Sequence, residues 1–431
     1  MTENEPEQAP EVPLLSQPAD GVPEPLVASG ELSRFVDLIA AGTGPVAFDA
    51  ERASGYRYSQ RAYLIQLRRA GAGTALIDPI ELPALSGLNA VLQDTEWLLH
   101  AASQDLPCMA ELGLHPPRLF DTELAGRLLG EERVALGTMV EQHLGVRLEK
   151  GHSAADWSTR PLPHDWLVYA ALDVELLSDL RDVLAAALHD AGKSEWARQE
   201  FEAVRLAPPP PPRSEPWRRT SGIHALRNRR QLAVVRSLWH ARDDYAARRD
   251  VAPGRLLPDA AIVEAAKAMP KRQADLLAIN VFNGPRQRRQ AERWFAAIET
   301  ALALPDGELP TSTGSGGDGV PPPARWRDRD PAAAERLARA RAAVSALAEE
   351  HTVLAQNLLA SDVIRRICWE PPTPTTDAVR ARMGELGARQ WQIDLTLTAL
   401  TEALQNAPAA ETPTPGTPPA ETPAEPTSDG D

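Results

Sequence analysis

The chain has 431 residues, a net charge of −15, 43% hydrophobic residues, 40 prolines and two cysteines. That length predicts two or three domains with cores of their own, and Cys108 and Cys368, standing in no CxxC or metal-spaced pair, exclude a disulfide framework and a zinc finger. No run approaches 18 apolar residues, and Met1 to Pro25 is acidic and proline-rich, so a soluble, cytoplasmic protein with no membrane partner is expected.

Residues 1–30 carry six acids and no base, and their Pro/Glu-rich composition predicts a disordered acidic tail. A first domain is expected over 31–205. Within it, short apolar or alternating runs at 46–48, 63–68, 74–77 and 97–100 read as strands. Helical spacing of apolar residues marks 104–113, 122–129, 136–144 and 163–191, so the fold class is α/β, a mixed sheet flanked by helices. A Pro-rich linker, 206–216, holds a five-proline run from Pro208 to Pro212. An all-α domain is expected over 217–304, a flexible Gly/Ser/Pro linker over 305–324, a second all-α domain over 325–405 and a disordered acidic tail over 406–431.

Charge follows the same divisions. Residues 31–205 hold 16 bases and 26 acids, whereas 213–293 hold 18 bases and 8 acids. An acidic module followed by a basic one points to a polyanion partner. Its footprint is expected at Arg218, Arg219, Arg227, Arg229 and Arg230, with Lys150 a further candidate.

Four carboxylates of the first domain fall where chemistry would want them. Asp49 and Glu51 close the first strand, and side chains two apart on a strand share a face. Asp105 follows the strand ending at His100, at the sheet edge where open α/β sheets bind ligands. Tyr169 and Asp173, four apart, share one helix face. Oxygen donors of this kind suit Mg²⁺ or Mn²⁺ and not zinc. Each piece alone has an ordinary reading, an N-cap for Asp105 above all; together they describe one site.

The segments Phe48-Asp49-Ala50-Glu51 with Leu64-Ile65-Gln66-Leu67, His100 to Leu106, and Asp156-Trp157-Ser158-Thr159-Arg160-Pro161-Leu162 followed by Tyr169 to Val174 resemble the three exonuclease motifs of the ribonuclease D family, in the DEDDy branch of the DEDD exonucleases. The resemblance spans about 45–180 and implies a ribonuclease-H-like fold. Ser237 to Arg242, Val251 to Asp259 and Met269-Pro270 are similar to the HRDC module that ribonuclease D shares with RecQ-type helicases. Leu347 to His351 and Leu358 to Ser361 resemble a second, degenerate HRDC-like copy.

The resemblance implies a metal-dependent 3′-to-5′ exoribonuclease that releases nucleoside 5′-monophosphates from RNA with a free 3′ end, tRNA precursors among its substrates. Asp49 would bridge two divalent ions, Glu51 and Asp173 would complete the first, Asp105 would hold the second, and Tyr169 would orient the attacking water. A 3′-to-5′ DNA exonuclease, or a nucleic-acid-binding scaffold with a vestigial nuclease domain, is the alternative. Two residues depart from the family pattern: Ala50 stands where Thr is usual, and Arg52 where a large apolar or aromatic residue is usual. Asp121 is expected to cap the helix after it, His100 to be a satisfied, partly buried histidine, and Trp157 and Trp166 to be core.

Overall fold

The computed structural model describes residues 12–149, 151–312 and 319–405. Through residue 205 its elements are, in chain order, β1 (Leu14–Leu15), α1 (Ser29–Ala41), β2 (Thr43–Arg52), β3 (Ala62–Ala70), β4 (Gly73–Ile77), α2 (Ser86–Val91), β5 (Glu96–Leu99), α3 (Leu106–Ala110), β6 (Arg118–Asp121), α4 (Thr122–Leu128), α5 (Leu136–Leu144), β7 (Arg147–Leu148), α6 (His164–Glu175), α7 (Leu177–Asp190) and α8 (Ser194–Arg205).

Five strands form one sheet in the order β4-β3-β2-β5-β6. Strands β2, β3 and β4 are antiparallel neighbours, whereas β5 and β6 run parallel to β2. The sheet is therefore mixed, as expected. The middle strand β2 buries Val46, Ala47 and Phe48 in succession, the mark of a strand covered on both faces. Phe48 stacks on Trp97 of β5 with ring centroids 4.2 Å apart. Pairing of β2 with β5 ends at Ala47 and Leu98, while its pairing with β3 continues to Arg52. The last residues of β2, Asp49 and Glu51 among them, thus run on past the β5 pairing.

Several expectations are corrected. The expected tail 1–30 is structured from residue 12. Leu14 and Leu15 pair in parallel with Arg147 and Leu148, and Leu26 bridges Ile77. A two-residue strand carries no periodicity, so composition alone missed it. Residues 1–11, 406–431 and Lys150 lie outside the described residues. The single helix over 163–191 is two, divided at Leu176 (φ −108°, ψ 8°), where neither Gly nor Pro announces a break. The helix over 104–113 is a 3₁₀ turn, Ala102–Gln104, followed by the short α3.

The described residues form two compact units, the first comprising those up to 319 with 348–358 and 389–391, the second the remaining C-terminal residues. The first unit includes the basic helices α9 (Arg229–Arg249), α10 (Pro253–Leu256), α11 (Asp259–Ala268), α12 (Gln273–Ala278) and α13 (Pro285–Ala303). They close on a core of Trp217, Leu238, Ile262, Phe282, Trp294 and Ile298.

The expected linker from 305 is partly corrected. Leu309 is buried in that core, and carbonyls of 302–311 accept from arginines of the same module. Helices α9 and α10 are fastened to the segment joining β2 to β3. Arg255 lies 3.9 Å over the Tyr56 ring and donates to the Gly55 carbonyl at 2.8 Å. Asp250 accepts from the Ser59 amide at 2.8 Å, and Tyr58 donates to Asp243 at 3.1 Å.

The second unit is helical, as expected. Its core includes Trp326, Ile367, Val379, Met383 and Leu400, with Trp326 and Trp369 ring centroids 5.0 Å apart. Among the described residues no helix is long and apolar enough to cross a membrane.

Candidate active site

The sheet and α6 bring the expected acids together. One ligand oxygen from each of Asp49, Glu51 and Asp173 lies within 4.8 Å of the other two. Asp49 and Glu51 come from one face of β2, and Asp173 from α6. That helix is seated by the core of Tyr63, Leu64, Leu76, Trp157, Leu167, Ala170 and Ala171.

The segment ahead of α6 is pinned by Arg160. Its guanidinium takes both oxygens of the buried Asp78, at 2.6 and 2.8 Å, and donates to the carbonyls of Tyr63 and Trp157, both at 2.8 Å. A bidentate pair of this kind, with its carboxylate buried, fixes orientation as well as position. Its role was not read from the sequence, although Arg160 stands inside the third motif.

Asp105 reaches the site by another device. It occupies the N-cap position of α3, yet its side chain makes no cap hydrogen bond. The ordinary reading of that residue therefore fails. Its Oδ1 lies 3.9 Å from the Nε of Arg52, and its carboxyl is buried.

The turn before it is held by Asp121, whose oxygens accept from the amides of Ala101 at 3.1 Å, Ala102 at 2.8 Å, Glu123 at 3.0 Å and Leu124 at 3.2 Å. Asp121 is thus the cap of α4, as expected, and also a tie to the left-handed Ala101 (φ 59°). His100 is satisfied by Thr122 at 2.9 Å, and burial lowers its pKa to about 4, so it stays a neutral structural group. Trp157 is fully buried, as expected of a core residue, and Trp166 packs against it at 5.3 Å.

The electrostatics of the site follow from burial. Asp49 is pushed up to about 6 by desolvation, against the Ala50 amide and Arg52, which pull it down. Desolvation raises Glu51 well above the usual carboxylate range, and Asp49, Asp173 and Asp105 raise it further. Asp105 and Asp173 are raised in the same way, by burial first and then by Asp49.

Four carboxylates that destabilise one another's charged forms suit a cation that would relieve them. Gln66, fully buried and paired with Asp49 across β2 and β3, has neither amide atom hydrogen-bonded among the described residues. All-oxygen donors, mutual repulsion and an unsatisfied polar neighbour fit divalent cations of the hard class. Tyr169 lies one turn before Asp173 on α6. Burial, and then Asp173, Glu51 and Asp49, drive its phenol above its ordinary value.

Residues 26–189 match the family model of a 3′-5′ exonuclease, 231–298 that of the HRDC domain, and 319–404 that of a 3′ to 5′ exonuclease C-terminal domain. Ribonuclease D of Zymomonas mobilis is 32% identical over 273 residues, which cover 62% of this chain and 69% of the relative. The chain belongs to the ribonuclease D family. It is a 3′-to-5′ exoribonuclease, and the family is divalent-metal dependent.

Among solved structures, a protein from Bifidobacterium adolescentis superposes with a TM-score of 0.84 at 38% identity, covering 92% of this chain and all of that one. Escherichia coli RNase D shares the fold, with a TM-score of 0.66 at 24% identity, covering 90% of this chain and 99% of that one.

The expected nucleic-acid contacts divide. Arg218 donates to Glu215 at 2.8 Å and lies over Trp217, Arg229 donates to the carbonyls of Leu309 and Pro310, and Arg230 holds the Leu304 carbonyl and Asp306. These three are engaged within their own module, although Arg229 is exposed. Arg219 and Arg227 are exposed. Charge counting could not separate the two groups, because it does not see carbonyl acceptors 70 to 90 residues away.

Proposed function

We propose that Asp49, Glu51, Asp105 and Asp173 hold two Mg²⁺ or Mn²⁺ ions at the 3′ end of a structured RNA, tRNA precursors among its substrates, and that nucleoside 5′-monophosphates are released in the cytoplasm. The observation that carries this reading is the convergence of Asp49, Glu51 and Asp173 within 4.8 Å, with Asp105 buried beside them. The Escherichia coli protein of the same fold is described as an exoribonuclease involved in structured RNA processing, which supports the substrate class. Bound ions of this kind supply hydroxide from water at neutral pH and stabilise the leaving 3′ oxygen.

The residues of the chain do the rest. Asp49, Glu51, Asp173 and the buried Asp105 would hold the ions. Tyr169 stands one turn from Asp173 on α6, and its phenol would hydrogen-bond the attacking water and hold it in place. RNA would be gripped at Arg219 and Arg227, and at Lys150 from the segment preceding the third motif.

The test uses the whole protein and end-labelled RNA and DNA oligomers, with Mg²⁺, Mn²⁺ or EDTA. Asp49→Asn, Glu51→Gln, Asp105→Asn and Asp173→Asn should each remove most turnover while RNA binding in EDTA persists, since only the ion cage loses charge. Near-parental activity in any two of the four would refute the assignment.

A further inference from the structure

Arg52 ends β2, immediately after a register shift against β3 that follows Glu51. Its Nε stands 3.9 Å from Asp105 Oδ1, with the arginine side chain 27% exposed and the aspartate side chain 9% exposed. Its charge lowers Asp49, Glu51 and Asp105 together, in opposition to burial. With Glu51, Ser54, Gly55 and Ser153 it also lines an open pocket of about 200 Å³. One guanidinium therefore stands between the acid cluster and the space beside it.

Charge counting gives the consequence. Four ionised carboxylates balance two divalent cations, which leaves the Arg52 charge in surplus once the site is loaded. The group that arrives carrying the matching charge is a phosphate of the RNA. Guanidinium offers five donors in a planar fork, and an ion pair 3.9 Å long through Nε engages few of them.

We propose that Arg52 is a substrate-binding residue that serves as counter-ion to Asp105 while the acids hold no metal, and that turns to a phosphate of the 3′-terminal nucleotide beside its pocket when they do. This rests on the reading of the acids as a metal site. The two roles have opposite signatures, because a fixed positive charge repels the metal and attracts the phosphate.

The experiment compares the parent, Arg52→Gln and Arg52→Lys as full-length proteins. Mn²⁺ binding to the RNA-free protein is followed by EPR titration, and kcat and KM are measured on a short 3′-hydroxyl RNA. Arg52→Gln should bind Mn²⁺ severalfold more tightly, with KM for RNA raised about ten-fold, the scale of one charge-assisted hydrogen bond, and kcat changed far less. Arg52→Lys keeps the charge and loses the fork, so its Mn²⁺ affinity should match the parent while KM rises partway. Unchanged or weaker Mn²⁺ binding in Arg52→Gln, or a KM within two-fold of the parent, overturns the proposal and leaves the metal site standing. A parent that binds no Mn²⁺ and cleaves without it overturns both.

Discussion

Tyr169 shows what burial does to one side chain. A phenol that titrates near 10 in water is already a poor base at neutral pH, and here desolvation and three carboxylates push it higher still. It is therefore protonated throughout the working range and contributes a hydrogen bond rather than a proton acceptor. Tyr169→Phe should lower kcat by about 10²-fold with KM little changed, and the pH–rate profile should keep its shape, because no limb of it belongs to the phenol. A limb that vanishes with the hydroxyl would reverse this reading, and a Phe variant as fast as the parent would make the phenol structural.

Asp49 with Glu51, and Tyr169 with Asp173, were legible as pairs because strand and helix periodicities put each pair on one face. Asp105 was read from its place after a strand, and the grouping rested on the motif resemblance. Arg160 and the pairing of Arg52 were not legible, since their partners, Asp78 and Asp105, lie 82 and 53 residues away.

At the scale of elements, position depends on terminations that periodicity reads poorly. Strand β2 could be found from its apolar run, but that it outlasts its pairing with β5 is a matter of sheet register. The break at Leu176 has no Gly or Pro to mark it, and β6 is only four residues long. Strand β6 nonetheless ends on Asp121, which joins the start of α4 to the turn carrying Asp105.

Burial holds that carboxyl up to about 6 against three backbone amides that pull it down. Asp121→Asn keeps one oxygen and sets an NH₂ group against an amide it cannot accept from. Loss of about 1–3 kcal/mol of stability is expected, the usual cost of an unsatisfied buried donor. Because Ala101 and Ala102 lead into Asp105, kcat should fall as well. Urea midpoints and kcat measured on the same preparation check both; a variant less stable yet fully active would confine Asp121 to capping.

The whole molecule segregates charge, with acids around the chemistry and bases in the helices that follow. That segregation was legible from composition, and so were the order of the modules and the mixed sheet. Composition could not say which bases are spent inside the fold. Arg229 and Arg230 bond to carbonyls of 302–310, whereas the exposed Arg219 and Arg227 of the same basic module make no such bond among the described residues. An RNA contact and a structural staple respond differently to salt. Each phosphate contact contributes about 0.7 to 0.9 to the slope of log K against log salt, whereas an internal hydrogen bond contributes to stability and not to that slope. Arg219→Ala and Arg227→Ala should therefore each flatten the plot by about that amount with little change in Tm. Arg230→Ala should lower Tm while leaving the slope intact. Anisotropy titrations of a structured RNA at several salt concentrations, with EDTA present to stop cleavage, measure all three. If the slope stays constant in Arg219→Ala and Arg227→Ala, the exposed arginines do not carry the RNA, and the grip must lie with the residues around the acids.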